Sequence, residues 1–284
     1  MKASFWGVRG SIPAPGPETN RFGGNTACVE LRDAQDNLVI LDAGTGLIAL
    51  GRALLQGPLG KGMGHASVIL SHTHWDHIQG FPFFAPVFVP GNRFTVYGPG
   101  RSEAMLEGIL EGQMNPHFSP LYTMKNLGAE IDLKAVADDG SVFSCAGFSV
   151  QARSNPHGAT RALALRFEEN GKSLVYASDA GYAPGGPTVD VRALYRGADI
   201  LIHDSTYTPE DRARRLDRGL SSVADAVSAA VAAQVKRLVL FHYDQDYGDD
   251  VVDALISLGR RLLDEHGGQS IELTAAYEGL TLSL

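Results

Sequence analysis

Cysteine is nearly missing: only Cys28 and Cys145 occur in 284 residues. Neither belongs to a close pair or to a Cys/His zinc-finger spacing, so a disulfide framework and a cysteine-built zinc site are both excluded, and each thiol is expected as a small buried apolar group. Long hydrophobic runs are missing as well. Met1-Lys-Ala-Ser-Phe-Trp-Gly-Val-Arg9 has no sustained apolar stretch of the kind a secretory signal needs, and no later segment reads as a membrane span, which places the chain in the cytoplasm with no membrane partner. There is no basic surplus either. With 24 Lys and Arg against 32 Asp and Glu the formal charge is −8, which argues against a groove for long nucleic acid and favours a small-molecule substrate.

What is present suits a large buried core: 44% of residues are hydrophobic, and the chain carries no repeat and no low-complexity tract. Residues 1–284 read as one layered domain. Short apolar, β-rich runs at Cys28–Leu31, Leu38–Asp42, Ala66–Ser71 and Arg93–Tyr97, with a helical stretch Leu47–Gln56, make the first half one sheet. A helix at Ser102–Gln113 and a loop-rich stretch to Met124 follow. Strands Glu130–Val136, Ser141–Ser144, Phe148–Arg153, Ala162–Glu168 and Ser173–Ala177 then begin a second sheet. Helical patterns at Val189–Tyr195, Pro209–Leu216, Ser222–Ala233 and Asp249–Glu265 alternate with strands Ile200–His203 and Leu238–Phe241. The economical architecture is α/β: two mixed sheets face to face with helices outside. The apolar helices and loops are compatible with a homodimer.

The chemistry concentrates in Ser71-His-Thr-His-Trp-Asp-His77, directly after the apolar run Val68-Ile-Leu. Positions two apart in a strand share a face, so His72 and His74 are expected to point at one ion while the following turn swings Asp76 and His77 towards a second. Further candidates stand where later strands end: His157 in Ser154-Asn-Pro-His-Gly158, Asp179 after Leu174-Val-Tyr-Ala-Ser178, and His242 after Leu238-Val-Leu-Phe241. Single residues of this kind are usually structural. Seven of them around one motif point to a binuclear metal site.

The H-x-H-x-D-H run with the later His, Asp and His resembles the metallo-β-lactamase-fold hydrolases, whose architecture is a four-layer αββα sandwich. Within them the text resembles the branch of cyclic-nucleotide and phosphoribosyl cyclic phosphodiesterases related to ribonuclease Z. The stretches that carry this are Phe5-Trp-Gly-Val-Arg-Gly-Ser-Ile-Pro13, Gly23-Gly-Asn-Thr26, Leu41-Asp-Ala-Gly-Thr-Gly46, Gly80-Phe-Pro-Phe-Phe84, His203-Asp-Ser-Thr-Tyr207 and Leu240-Phe-His242. The resemblance implies that His72, His74 and His157 hold one divalent cation, that Asp76, His77 and His242 hold another, and that Asp179 bridges them. Imidazole and carboxylate donors suit zinc, with manganese or iron as alternatives. Two cations about 3.5–4 Å apart can share a hydroxide as nucleophile on a phosphodiester, with Asp76 orienting it and taking up its proton. Asn25 and Thr26 would lie at the metal site and Asp42 beneath the ligands. Tyr207 and Tyr243 are further candidates for substrate contact.

Three departures qualify this reading. In the relatives an acidic residue at the position of Asp204 orients a histidine of a G-H-S-[ST] run, which protonates the leaving group, whereas this chain reads Gly219-Leu220-Ser221-Ser222. Without that acid, the chain either recruits another, such as Tyr207, Tyr243 or His117, or acts on esters whose leaving groups need none. Asn155-Pro-His157-Gly158 places its histidine one position later than the usual N-H-P-G, and Tyr243 and Tyr247 replace residues that are often histidine and proline. The alternatives to a phosphodiesterase are a hydrolase of a lactone, thioester or activated organophosphate ester and, ranked below it, a non-catalytic metal-binding sensor. His65 and His266 read as solvated, and the aromatic stretch Phe81 to Phe88 as core.

Overall fold

In a computed structural model, residues 1–100, 102–117, 119 and 123–284 are described. Of the loop-rich stretch expected before Met124, residues Phe118, Pro120, Leu121 and Tyr122 lie outside the described set. The first sheet is built from β1 (Lys2–Gly7), β2 (Cys28–Arg32), β3 (Leu38–Leu41), β4 (His65–Ile69), β5 (Arg93–Pro99) and β6 (Glu130–Val136). The second contains β7 (Asp139–Cys145), β8 (Phe148–His157), β9 (Thr160–Glu169), β10 (Lys172–Ala177), β11 (Ile200–Asp204), β12 (Arg237–Phe241) and β13 (Glu272–Ala275) in spatial order from β7 at one edge to β13 at the other. The last strand, β14 (Thr281–Ser283), returns to the first sheet and pairs antiparallel with β1, Lys2 opposite Ser283. The division of the chain into a first-half sheet and a second-half sheet therefore fails twice: Glu130–Val136, expected to begin the second sheet, is β6 and pairs parallel with β5 at the edge of the first, and the end of the chain returns to the first sheet as well. Three residues of the C-terminus complete the sheet begun by the N-terminus.

In each sheet four neighbouring strands run parallel: β3 to β6 in the first and β10 to β13 in the second. Strands buried on both faces need apolar residues at every position, and this is why β3 reads Leu-Val-Ile-Leu without alternation. Val39 and Leu41 face the core between the sheets, while Leu38 and Ile40 face the outside layer. That outside layer is formed by α1 (Gly46–Leu54), which packs on β1 and β2, and α3 (Glu103–Gly112), which packs on β6. On the far side α4 (Val189–Tyr195), α6 (Val223–Ala233) and α7 (Asp249–Glu265) cover the second sheet. A capping box between Ser222 and Asp225 starts α6, and α7 buries Val252, Leu255, Gly259 and Leu263, one stripe of an amphipathic helix. The layers are thus helix, sheet, sheet, helix.

Two short helices matter for position: α2 (Trp75–Ile78) follows β4, and α5 (Pro209–Arg214) follows β11. The strand expected over Ala66–Ser71 ends at Ile69, and the helix expected to Leu216 ends at Arg214, with a tighter turn over Leu216–Arg218. Cys28 and Cys145 are both buried. Phe81 and Phe84 are core residues, whereas Phe83 and Phe88 remain 51% and 39% exposed, so the aromatic stretch is core only in part. Among the described residues no helix is long and apolar enough to cross a membrane.

Candidate metal centre

The carboxyl ends of β3, β4, β10, β11 and β12 open on one rim, where an α/β sheet leaves a crevice. Into it the chain sends His72 and His74 from the turn after β4, Asp76 and His77 from α2, His157 from the end of β8, Asp179 from beyond β10 and His242 from beyond β12. His72 and His74 do not share a strand face, because β4 stops before them, and the turn brings their rings to 4.5 Å instead. Among the described residues three overlapping sets of side chains gather donor atoms within 4.8 Å of one another: His72, His74 and His157; Asp76, His77 and His242; and His72, His77 and Asp179, which links the first two. Asp179 stands between those two. Its Oδ2 lies 4.0 Å from His72 Nε2 and 3.6 Å from His157 Nε2, while its Oδ1 lies 3.1 Å from His77 Nε2 and 3.5 Å from His242 Nε2.

The fit to cations can be judged from the nitrogens. His77 Nδ1 donates to Asp42 Oδ2 at 2.7 Å, and His157 Nδ1 donates to the Gly219 carbonyl at 2.8 Å. The Ser71 hydroxyl gives its hydrogen to Asp42, so it accepts from His72 Nδ1 at 3.1 Å. By the same logic Thr206 Oγ1, donating to Asp204 at 2.7 Å, accepts from His242 Nδ1 at 3.0 Å. Each of these four rings therefore carries its proton on the outer nitrogen and turns a lone pair inwards. There, His157 Nε2 meets His74 Nδ1 at 2.9 Å, and His77 Nε2 meets His242 Nε2 at 3.3 Å. The facing lone pairs of His77 and His242 repel unless a cation or a proton lies between them. His72 Nε2 and Asp179 Oδ1 are buried without any hydrogen-bond partner, a cost that metal coordination removes. The donor set fits two divalent cations.

Burial alone would strip charge from these groups, yet their mutual fields reverse it on one side. Burial lowers His242, but Asp179 and Asp76 outweigh it and raise its pKa to about 9; His77 is raised in the same way by Asp76, Asp179 and Asp42. Asp76 and Asp179 are held well below the usual carboxylate range against their burial, by His77 and His242 foremost. His72, with burial dominant and His77 adding to it, is pushed down and stays neutral. Without metal, protons on His77 and His242 take the place of cations. A histidine raised from 6.5 to about 9 stabilises the fold fully below 6.5 and loses that contribution as pH rises through 9. Metal-free protein should therefore melt at lower temperature at pH 9 than at pH 6.5, and the gain in melting temperature on adding zinc should grow over the same window as protons cease to compete. A melting temperature of the metal-free form that rises across this interval would contradict the assignment.

The backbone is held in unusual states around the ligands. Asp42 (φ 59°), His242 (φ 63°) and Ser11 (φ 64°) all occupy the left-handed region without being glycine, a cluster of strain typical of functional sites. The Ser11 amide donates to Asp76 Oδ2 at 2.7 Å. Gly10 lies so close under the His242 ring that a Cβ there would collide with it, and Gly219, at φ 66° against the Gly158 backbone, presents the carbonyl that orients His157.

A cavity of about 270 Å³ opens over the ligands, lined by Ser11, His74, Trp75, Asp76, His157, Asp179, Arg218, Leu220 and His242. An adjoining cleft of about 390 Å³ shares Ser11 and Arg218 and adds Tyr207, Arg215 and Asp244. A larger cavity of about 730 Å³ lies at the opposite ends of β3 and β4, by Leu38 and His65, away from every converging ligand.

Other expected site residues are spent elsewhere. Asn25 donates from both amide nitrogens to Glu278, and the Thr26 hydroxyl accepts from the Thr45 amide at 2.9 Å, so both brace the loop behind the ligands. Tyr243 is fully buried with its hydroxyl donated to carbonyls of β12 and the segment after β13, which removes it from the substrate and from proton donation. Tyr207 reaches only the adjoining cleft, under Arg215. His117 is exposed and does not line the cavity. Asp204 faces no proton-donating histidine. Its two oxygens accept from the amides of Ala180, Ser221 and Thr206 and from the Thr206 hydroxyl, so it ties the Asp179 and Leu220 loops together and fixes His242 through Thr206. Asp42 accepts four hydrogen bonds, from Ser71 twice, His77 and Tyr176. Ser11 and Arg218 carry no local mark in the sequence because each reaches the cavity from another loop, while Trp75 stands inside the ligand run His72 to His77 without being a ligand type.

A rim of imidazoles and carboxylates, all buried but His74, at strand ends between two sheets defines a metal-dependent hydrolase. The chain belongs to the β-lactamase superfamily: residues 37–243 match the model of the β-lactamase superfamily domain, and the fold is that of the metallo-β-lactamases. It is 24% identical to a ribonuclease Z of Natronomonas pharaonis over 298 aligned positions, covering 88% of this chain and 89% of that one. Among solved structures it superposes on unliganded yeast PDE1 with a TM-score of 0.75 at 14% identity, covering 100% of this chain and 99% of that chain. The Zn(2+)-bound PqqB of Methylobacterium extorquens gives 0.71 at 18% identity, covering 100% of both chains.

Proposed function

We propose that this protein is a phosphodiesterase acting on a small diester, linear or cyclic, with two divalent cations, zinc foremost. The observation that carries the two-cation reading is Asp179, which presents one carboxylate oxygen to each set of three ligands. Cations held there would activate water and offset negative charge on the phosphoryl oxygens. The protein's own part is orientation. Asp76, kept ionised and fixed by the Ser11 amide, is placed to align the attacking water and accept its proton. Trp75, 71% exposed at the cavity wall, and the buried Leu220 give the open cavity apolar sides. The ribonuclease Z and PDE1 likenesses favour phosphorus over carbon as the electrophile, while a cavity of about 270 Å³ and a charge of −8 favour a small diester over long RNA. Leu220 in the cavity wall favours a second reading, hydrolysis of a lactone or other ester that needs no general acid.

Zinc-loaded protein assayed side by side on cyclic nucleotides, bis-aryl phosphates, a short RNA and lactones should turn over small phosphodiesters first, and chelation or Asp76→Ala should remove about two orders of magnitude or more. Turnover of lactones alone, or full activity in Asp76→Ala, would overturn the proposal.

A further inference from the structure

Five of the nine side chains lining the cavity are the ligand candidates His74, Asp76, His157, Asp179 and His242. Ser11 and the apolar Trp75 and Leu220 account for three more. The ninth is Arg218. Its neighbours' charges are spent: Arg212 pairs with Asp225, Arg214 with Asp211 and Arg215 with Asp244. Among the described residues no carboxylate lies within ion-pair distance of Arg218, which stands at the junction of the two clefts. The side chain is exposed, but the backbone that carries it is anchored to the ligands. Arg218 precedes Gly219, whose carbonyl holds His157 Nδ1 at 2.8 Å, and its own amide donates to the Arg215 carbonyl at 3.0 Å.

A guanidinium is charged at any working pH, so it cannot supply a proton, but its planar donors match an oxyanion well. We infer that Arg218 receives the leaving-group oxygen of the diester as an oxyanion. Resting on the phosphodiesterase reading, this narrows the substrate class to diesters with a weakly basic leaving group such as an aryl oxide, extending into the cleft of about 390 Å³ beside Tyr207 and Arg215. The water oxygen forms the new P–O bond and gives its proton to Asp76 and then to solvent. The bond to the leaving oxygen breaks with its electron pair kept on that oxygen, beside Arg218. No proton is delivered to it, in keeping with Leu220 on that wall.

The test is a series of phosphodiesters with one constant group and leaving groups running from nitrophenol to alcohol, assayed on zinc-loaded wild type, Arg218→Met and Arg218→Lys, with metal content and melting temperature measured on each. Wild type should hydrolyse aryl diesters and leave alkyl diesters nearly untouched. Arg218→Met should lose about ten- to a hundredfold in kcat, somewhat less than a buried oxyanion donor because the site is open, with a loss that grows as the leaving group becomes more basic. Arg218→Lys should recover part of it, and all three should hold the same metal. Alkyl diesters cleaved as fast as aryl ones, or Arg218→Met rates parallel to wild type across the series, would overturn this inference alone. Failure to hydrolyse any member would overturn the phosphodiesterase reading on which it rests.

Discussion

Asp179→Ala is expected to lower activity by about three orders of magnitude or more, the upper range for loss of one preorganised electrostatic element, and to leave the protein with fewer bound metal ions than wild type. The reason is geometric. Each Asp179 oxygen faces a different set of ligands, so its loss leaves four imidazoles, His72, His77, His157 and His242, without the carboxylate that each of them faces. A second readout is independent of metal. Asp179 heads the causes that lift His242 to about 9 against its burial, so in the metal-free variant the His242 proton should titrate at lower pH, visible in the imidazole resonances. Metal content equal to wild type in Asp179→Ala would show that the carboxylate joins nothing.

The second large effect is on stability. Asp42 is fully buried and accepts from Ser71 N at 2.7 Å, Ser71 Oγ at 2.8 Å, His77 Nδ1 at 2.7 Å and Tyr176 OH at 2.7 Å. Alanine would orphan all four donors at once, and breaking a buried charged network by removing one partner costs about 3–5 kcal/mol. It would also place a residue without a hydrogen-bonding side chain at φ 59°, which adds strain. Asn tolerates that backbone and keeps the volume, but turns an amide NH₂ towards groups that are themselves donors. Asp42→Ala should therefore unfold at markedly lower denaturant concentration, Asp42→Asn at an intermediate one, and both should bind zinc about 10- to 100-fold more weakly, as expected when the group orienting a ligand is lost. Unchanged zinc affinity in a folded Asp42→Asn would show that His77 needs no such anchor.

Much of the site could be read from the chain because its ligands come in two recognisable forms: four potential donors in the six residues His72 to His77, and single residues directly after apolar strands, as with Asp179 and His242. The strands themselves were legible because β3, β4, β10, β11 and β12 are buried on both faces and so read as short unbroken apolar runs. The parts that misled depend on partners far away in sequence. Asn25 looked available for a ligand until Glu278, 253 residues on, took its amide, and Asp204 looked like a relay until Ala180 and Ser221 filled its oxygens. β1 and β14 are too short and too polar at alternate positions to announce a pairing between the two ends of the chain. Arg9 shows the same limit. Nothing in Gly-Val-Arg-Gly foretells a fully buried guanidinium that donates to the carbonyls of Gly23, Asp244 and Tyr247 and so pins two loops behind the site.

The central claim, two cations joined by Asp179, is tested most directly by anomalous diffraction at the zinc edge from crystals of zinc-loaded protein. Two peaks are expected, one among His72, His74 and His157 and one among Asp76, His77 and His242, each touching one oxygen of Asp179. A single peak at full zinc loading, or two peaks of which neither contacts Asp179, would contradict it.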